Sequence, residues 1–274
     1  FHDVQMAVDG PAARALAELA RWRWERASCE ALPALNGRLA PWPEGVEPDF
    51  RDVAVGISRT LPDYPGEGEV REIEALYEDM IDSAREAIYI ENQFVTCTRI
   101  AERLARRMRE VPGLQAVITA PRIHHSWVEH RAMAPGRIRF MEILRAAGVD
   151  ARVRLLHPQS GADEGAADVM VHSKLAVVDD RLLRVGSANL CNRSMAVDSE
   201  CDLVVEATDE TERRAIRRIR ARLLGEHCGV APEEIECRLK ETGSLLAAID
   251  GAGNPDRRLQ PVDDDRPIAP PQGW

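Results

Sequence analysis

The stretch that decides the fold is VHSKLAVVDDRLLRVGSANLCNRSMAVDSE, residues 171–200. It holds two runs of mostly aliphatic residues, 171–178 and 182–189, on either side of Asp179 and Asp180. Aspartate suits tight turns because its side chain bonds nearby backbone N–H groups. The pattern therefore predicts a strand–turn–strand unit in which Asp179 has a structural role.

Polar side chains recur at alternate positions near the outer ends of this unit. Because side chains alternate faces along a strand, His172 and Lys174 are expected to project side by side, as are Ser187 and Asn189. A histidine can act as nucleophile or proton carrier, and a lysine can neutralise charge on phosphate oxygens. Asn189 can donate hydrogen bonds to those oxygens, and Gly186 lets a phosphate approach the backbone. These residues are the candidate phosphate site.

A carboxylate, Glu200, lies further along the same segment. A carboxylate can hold an imidazole in one tautomer and stabilise its charged form. Taken singly, a strand histidine or a G-S-x-N turn is commonplace and usually structural. The joint pattern H-x-K-x4-D-x6-G-S-x-N, however, runs from His172 to Asn189 without a gap. The combination indicates chemistry on a phosphate, with Glu200 orienting the imidazole.

Strand-like and helix-like segments alternate along the rest of the chain. Hydrophobic periodicity predicts further strands at 4–8, 52–58, 87–92, 114–120, 151–156 and 202–207. It predicts helices at 11–28, 70–84, 99–110, 138–147 and 209–224, and an extended tail from about residue 251. This alternation is typical of a layered α/β domain with a buried sheet. The fold class expected is α/β.

The composition restricts the partners. The chain has 274 residues, 45% of them hydrophobic and 30% charged, with a net charge of −10. An acidic surface disfavours broad binding of nucleic acid, so none is expected as a partner. No stretch approaches the roughly twenty apolar residues that cross a bilayer. We expect a cytoplasmic protein with free thiols, and a peripheral contact with a membrane stays open. Heavy use of alanine and arginine suggests a bacterial source.

The pattern at residues 172–189 resembles the HKD motif of the phospholipase D superfamily. YIENQF at 89–94 resembles a segment of true phospholipases D. AVGISRT (54–60), Ser126-Trp127 and NRSM…DSECDL (192–203) resemble bacterial phospholipase D-type proteins. The likeness covers roughly residues 1–228. It implies the superfamily's fold, a mixed β-sheet flanked by helices in an α/β/α sandwich.

The resemblance also implies a mechanism. In this family two HKD motifs face each other: one histidine attacks phosphorus to give a phosphohistidine, and the other protonates the leaving alcohol. Water or another alcohol then releases the phosphatidyl group, and no metal or cofactor is needed. The implied substrate is a phospholipid at a membrane surface. The implied catalytic residues are His172, Lys174, Asn189 and Glu200, and the implied substrate contacts are Ser187, Gly186, Glu91, Asn92, Gln93 and Trp127.

The sequence holds one copy of the motif. G-S-x-N followed by N-R-S resembles the C-terminal motif of the pair, and FHDVQMAVDGPA resembles the segment that comes after the first motif. We therefore expect residues 1–50 to be the remnant of an N-terminal lobe, 51–228 a C-terminal lobe, and 229–274 a helix and extended tail. His172 would then be the general acid/base. Its partner would be an N-terminal HKD lobe of the same longer chain, or a second copy by dimerisation.

Other interpretations stay open at this point. The same site can serve cardiolipin synthesis or nucleic-acid cleavage, although the acidic charge and the IENQF segment disfavour a nuclease. The chain can also be a catalytically silent half. A metal site at His124, His125 and His130 is disfavoured, because the spacing is not H-E-x-x-H and no cysteine pair completes it.

Overall fold

The computed structural model describes residues 1–33, 42–63, 68–123, 127–161 and 165–262, with the backbone alone described at 127–130 and 132. The helices in these ranges are α1 (Gly10–Ser28), α2 (Glu72–Ser83), α3 (Thr98–Glu110), α4 (Trp127–Ala146), α5 (Asn192–Ala196), α6 (Glu210–Cys228), α7 (Pro232–Thr242) and α8 (Leu245–Asp250). The strands are β1 (Val55–Leu61), β2 (Val70–Arg71), β3 (Ala87–Asn92), β4 (Gln115–Thr119), β5 (Val153–Ser160), β6 (Ala167–Asp168), β7 (Lys174–Val178), β8 (Leu182–Gly186), β9 (Glu200–Glu206) and β10 (Arg257–Pro261).

All ten strands form one mixed sheet. Its order is β10-β5-β4-β3-β7-β8-β9-β1-β2, with β6 paired to β5. The central strands β3, β4 and β5 are parallel to one another, and β7 turns the direction by pairing antiparallel to β3. Asn92, the last residue of β3, lies opposite Lys174, the first residue of β7. The end of β3 and the start of β7 are therefore at the same edge of the sheet.

Helices cover both faces of the sheet. Ile88 and Ile90 point to one face, where they join a core with Tyr77 of α2. Tyr89, between them, points to the opposite face and joins a second core with Leu224 of α6. The strands are apolar on both sides because each side meets a helical layer. The predicted α/β/α sandwich, with a mixed sheet flanked by helices, is confirmed.

Two of the predicted elements are wrong near the ends of the chain. Residues 4–8 form no strand, because the N-terminal segment makes only a parallel bridge between His2 and Val171. Part of the predicted extended tail is instead the sheet strand β10, which pairs antiparallel with β5, and residues 263–274 lie outside the described ranges. Most residues of β10 are polar, so its sequence shows no apolar pattern. The helix predicted after residue 228 is present as α7, and a short second helix, α8, follows it.

A third difference concerns α4. The helix expected at 138–147 begins at Trp127 and carries Pro135 in its interior. In the sequence Pro135 and Gly136 look like a break, since proline removes a backbone donor and glycine weakens a helix. The other predicted helices and strands lie within a few residues of their predicted positions, whereas α5, β2 and β6 were not predicted. No described helix is both long enough and apolar enough to span a membrane, and all six cysteines carry free thiols.

The N-terminal segment is held against the strand–turn–strand unit. His2 N donates to Met170 O at 2.8 Å, and His172 N donates to His2 O at 2.8 Å. After this contact the chain enters α1, where the Asp9 side chain caps the first turn. No side chain of α1 is buried. Residues 1–3 are therefore attached to the sheet more closely than the helix that comes after them.

Candidate active site

The chemistry-bearing residues gather at one edge of the sheet. β7 begins there with Lys174, and β8, antiparallel to β7, ends there with Gly186. Ser187 and Asn189 come directly after β8, and β9 begins at the same edge with Glu200. His172 precedes β7 rather than lying within it, so its position depends on the N-terminal segment beside it.

The imidazole of His172 is partly exposed and is held by a carboxylate. Its Nδ1 lies 3.1 Å from Asp3 Oδ2, and its ring stacks on Phe1 with 5.6 Å between ring centroids. An ionised carboxylate can only accept, so Nδ1 carries the proton in this contact. Nε2 is then the nitrogen that can take or give a proton at the open side of the site.

Glu200, the residue predicted to orient His172, does not contact it in the structure. Glu200 instead accepts from Ser187 Oγ at 2.5 Å and from Ser194 Oγ at 2.6 Å. The carboxylate in contact with His172 is that of Asp3, which the sequence pattern did not single out. The resemblance of FHDVQMAVDGPA to a family segment was a signal for this stretch. Only the fold, however, brings residue 3 to residue 172.

Lys174 lies beneath this surface. Its Nζ donates to Gln93 Oε1 at 3.1 Å and to the His172 carbonyl oxygen at 2.5 Å. Burial disfavours the charged amine and lowers the pKa of Lys174 to about 8, although Asp3 and Glu200 oppose the shift. The ammonium is thus poorly solvated and close to His172. A phosphate at this site would recover the solvation that the amine has lost.

Asn189 and Ser187 occupy the other side of the same edge. The side-chain oxygen of Asn189 accepts from Phe94 N at 3.3 Å, which leaves the NH2 group as its donor end. The hydroxyl of Ser187 donates to Glu200 and accepts from Cys201 N at 3.0 Å. The NH2 group of Asn189 is therefore oriented as a donor, whereas the Ser187 hydroxyl already uses its hydrogen bonds on the first residues of β9.

Two predicted substrate contacts lie inside the protein. Glu91 and Asn92 each have no exposed surface. Asn92 uses its side-chain oxygen to accept from Phe94 N at 3.1 Å and Leu190 N at 3.0 Å. The prediction of direct contact is therefore wrong for these two residues. Gln93, which is almost buried, reaches the site through Lys174.

Gly186 is required for a reason other than the one predicted. A Cβ on this residue would lie 1.9 Å from Asp202 Oδ1. Asp202 is fully buried and forms an ion pair with Arg184, which also donates to the Tyr77 hydroxyl and the Ala188 carbonyl oxygen. The glycine makes room for this carboxylate, and the network shapes the turn that carries Asn189.

Asp179 lies at the opposite edge of the sheet, in the turn between β7 and β8. It adopts φ +52° and accepts from the backbone nitrogens of Arg85, Glu86 and Ala87 at 2.7, 2.9 and 2.8 Å. Three backbone donors on one carboxylate tie this turn to the start of β3. Asp179 is thus a turn residue, far from His172.

Part of the predicted site lies outside the described residues. Trp127 begins α4, but its side chain is not described, and His124, His125 and Ser126 are outside the described ranges. Substrate contact by Trp127 therefore stays a prediction, and no described observation bears on the disfavoured histidine metal site.

One donor set in the described residues has the composition of a metal site. The side-chain ligand atoms of His2, Glu91 and His227 all lie within 4.8 Å of one another, and all three residues are buried. Two histidines and a carboxylate can bind a transition metal. Glu91, however, already accepts from His2, Ser173, His227 and Tyr89. A carboxylate offers about four lone-pair sites, so its acceptor positions are full.

Comparison with known proteins identifies the family. A family model described as "Cardiolipin synthase, PLD-like domain" matches residues 77–220. The chain belongs to the phospholipase D superfamily of phosphodiesterases. The matched range runs from α2 to α6 and includes residues 172–189.

Curated phospholipases D match over most of this chain. Phospholipase D A of Dictyostelium discoideum is 27% identical in an alignment 278 positions long, and the alignment covers 85% of this chain and 21% of that protein. Human phospholipase D1 is 26% identical in an alignment 260 positions long, and the alignment covers 76% of this chain and 24% of that protein. The chain thus spans about a fifth to a quarter of the length of these relatives.

Two solved structures are similar to part of this chain. The phospholipase D family member Nuc from Salmonella typhimurium gives a TM-score of 0.41 at 17% identity, over 62% of this chain and 93% of that one. Phosphatidylserine synthase from Haemophilus influenzae gives a TM-score of 0.47 at 14% identity, over 87% of this chain and 54% of that one.

Proposed function

We propose that this phospholipase D superfamily chain supplies one half of an active site that cleaves or transfers the phosphatidyl group of a phospholipid. His172 is the general acid/base. The observation that carries the proposal is the Asp3 carboxylate on Nδ1 of His172, 3.1 Å away, with the Lys174 amine directly below. This arrangement leaves Nε2 of a partly exposed imidazole free for proton transfer beside a cation that suits a phosphate.

The reaction proceeds in two steps. A histidine of a second HKD motif attacks phosphorus; a P–N bond forms and the bond from phosphorus to the head-group oxygen breaks. His172 gives its Nε2 proton to that leaving oxygen, and Asp3 stabilises the imidazolium beforehand. His172 then takes a proton from water, which attacks phosphorus and breaks the P–N bond. The products are phosphatidic acid and the head-group alcohol. An alcohol in place of water gives a phosphatidyl alcohol.

Lys174 and Asn189 bind the non-bridging oxygens in both steps. The ammonium compensates the charge that accumulates on these oxygens, and the Asn189 amide adds hydrogen bonds without adding charge. Glu200 also contributes to catalysis, by accepting hydrogen bonds from Ser187 and Ser194 rather than from His172. No cofactor takes part in the proposed steps.

The second half of the site comes from another lobe. We propose that residues 1–50 are the end of an N-terminal lobe, 51–228 the C-terminal lobe, and 229–274 an appendage of that lobe. The contact of Asp3 with His172 supports this division, because the segment before α1 then contributes a side chain to the site of the next lobe. The other motif belongs to a longer chain or to a second copy. The lipid is bound at a membrane surface.

An exchange reaction of the cardiolipin synthase type is the second candidate. It is favoured by the matching family model, whose description names cardiolipin synthase. It uses the same residues, with a lipid alcohol instead of water in the second step. A nuclease is less favoured, because the net charge of −10 opposes binding of a polyanion.

The test uses this chain and a longer version with an upstream HKD lobe. Both are assayed on vesicles of phosphatidylcholine and of phosphatidylglycerol, and on single-stranded DNA. We expect the longer protein to form phosphatidic acid, and a phosphatidyl alcohol when a primary alcohol is added. The His172→Ala variant should lose this activity. Cleavage of DNA alone, or lipid cleavage that His172→Ala leaves unchanged, would refute the proposal.

A further inference from the structure

Glu91 has an extensively hydrogen-bonded side chain close to the candidate site, but it does not line that site. The Glu91 carboxylate has no exposed surface and four side-chain donors. On Oε1 it accepts from the hydroxyl of Tyr89 at 2.5 Å and from Nε2 of His227 at 3.0 Å. On Oε2 it accepts from Nε2 of His2 at 2.8 Å and from Oγ of Ser173 at 2.6 Å. The two oxygens thus have separate sets of partners.

The partners of Oε2 flank the reacting groups. His2 precedes Asp3, and Ser173 comes directly after His172. One carboxylate oxygen therefore joins the segment that carries the orienting carboxylate to the segment that carries the imidazole. Two backbone hydrogen bonds, from His2 N to Met170 O and from His172 N to His2 O, complete the connection. The partners of Oε1, by contrast, lie on β3 and α6.

The charges of this cluster reinforce one another. Burial by itself would raise the pKa of Glu91, but the facing His227 and His2 outweigh it and hold the pKa well below its usual value. Burial would likewise lower the pKa of His2, but its hydrogen bond with Glu91 and the nearby Glu226 raise it. Nδ1 of His2 lies 3.2 Å from Glu226 Oε1. The two carboxylates thus favour the protonated form of His2.

We infer that Glu91 is a positioning residue, which fixes the Asp3–His172 contact by anchoring His2 and Ser173 on a single oxygen. It touches no substrate. Without it, the segment before α1 would lose its buried anchor. It would keep two backbone hydrogen bonds to residues 170–172, the stacking of Phe1 on His172 and the contact of His2 with Glu226, and Asp3 would no longer have one defined position. The inference rests on the proposed role of His172, since it explains how that imidazole is held in one tautomer.

The test reads the tautomer of His172 directly and needs no turnover. Nitrogen shifts of ¹⁵N-labelled histidine distinguish an Nδ1–H from an Nε2–H imidazole, and the His172→Ala variant assigns the signal. Asp3→Asn defines the spectrum of a lost contact. We expect Glu91→Gln to move His172 to the Asp3→Asn spectrum. Tyr89→Phe, which removes a hydroxyl donor to Oε1 and no contact of His2, should keep the unaltered spectrum.

A second variant covers the case in which Glu91→Gln does not fold. His2→Ala removes the link between Oε2 and the N-terminal segment, together with the contacts of His2 with Glu226 and His227, and it should give the Asp3→Asn spectrum too. An unaltered His172 spectrum in folded Glu91→Gln or His2→Ala protein would overturn the inference. So would one equivalent of a transition metal per chain that Glu91→Gln releases, because the carboxylate would then be a metal ligand. If the spectra agree with the expectation and the lipid assay fails, only the proposed function falls.

Discussion

The carboxylate of Asp3 lies 3.1 Å from Nδ1 of His172, across 169 positions of sequence. The contact makes an aspartate–histidine pair of the kind that orients a catalytic imidazole. It also makes the segment before α1 part of the candidate site, although that segment is remote from residues 172–189 along the chain.

Asp3→Asn should reduce turnover of the complete two-motif protein strongly while leaving the fold intact. The amide can present its NH2 group to Nδ1 and favour the wrong tautomer, so we expect a loss of about 10²- to 10⁴-fold in kcat. Phosphatidic acid release from phosphatidylcholine vesicles measures it. Asp63→Asn, at an exposed position, is the control and should change nothing. Equal rates for the Asp3 variant and the unaltered protein would contradict the assigned pair.

Binding of a phosphate probe should weaken as the pH rises through about 8, because burial lowers the pKa of Lys174 to that value. Above it the amine is neutral and attracts the anion less. Isothermal titration calorimetry with inorganic phosphate, repeated at pH values from 6 to 10, measures the effect. Lys174→Arg keeps its charge throughout this range, so its affinity should not change near pH 8. An identical pH dependence in both proteins would contradict the assignment.

Gly186→Ala should destabilise the chain, because the new methyl group would lie 1.9 Å from the buried carboxylate of Asp202. Overpacking of this kind costs about 1–3 kcal/mol, and more where a buried ion pair is displaced. Urea unfolding measures the free energy of unfolding. Gly113→Ala is the matched control, because nothing lies within 4 Å of its Cβ. Equal stabilities of the two variants would mean that Asp202 moves away without cost.

The contribution of Glu91 and His2 to the free energy of unfolding should be largest at pH values between about 4.5 and 6.5. The pKa of folded Glu91 lies below the usual 4.5, so its contribution is complete above that pH and is lost as the pH falls. The pKa of folded His2 lies above 6.5, so its contribution is complete below that pH and is lost as the pH rises through the raised value.

Urea unfolding across pH 3 to pH 9 tests this window. The groups that face the pair are His227, Tyr89 and Ser173 at Glu91, and Glu226 at His2. Glu91→Gln should flatten both limbs of the profile. Glu47→Gln, which affects only an exposed ion pair with Arg51, should leave both limbs in place. A Glu91→Gln profile parallel to that of the unaltered chain would show that the cluster does not titrate as described.

The sequence predicts the fold class and the location of the site, but not its inner connections. Nearly continuous apolar runs locate the central strands, because both faces of the sheet are buried. The pattern fails for β10, where polar residues of an edge strand carry no periodic signal, and for α4, where Pro135 looks like a break. In both places tertiary contacts outweigh local preference.

The residues of the candidate site, too, are predictable from the sequence only in part. Local spacing identifies His172, Lys174 and Asn189, because a strand–turn–strand unit determines which side chains share an edge. Spacing does not identify the partner of His172, since residues 3 and 172 meet only in the fold. Nor does it separate Glu91 from Gln93, because both lie in one short segment and both are buried. Only their partners in the fold distinguish them: Glu91 binds His2 and Ser173, and Gln93 binds Lys174.

The most direct test of the account compares two leaving groups in the complete two-motif protein. The proposed acid, His172, is needed to expel a choline alkoxide but not a p-nitrophenolate, which leaves without a proton. The comparison is made on the first turnover, because His172 also activates the water of the second step. His172→Ala should release choline about 10²- to 10⁴-fold more slowly in that turnover, whereas the burst of p-nitrophenolate should slow much less. An equal loss on both substrates would contradict the assignment of His172 as the proton donor.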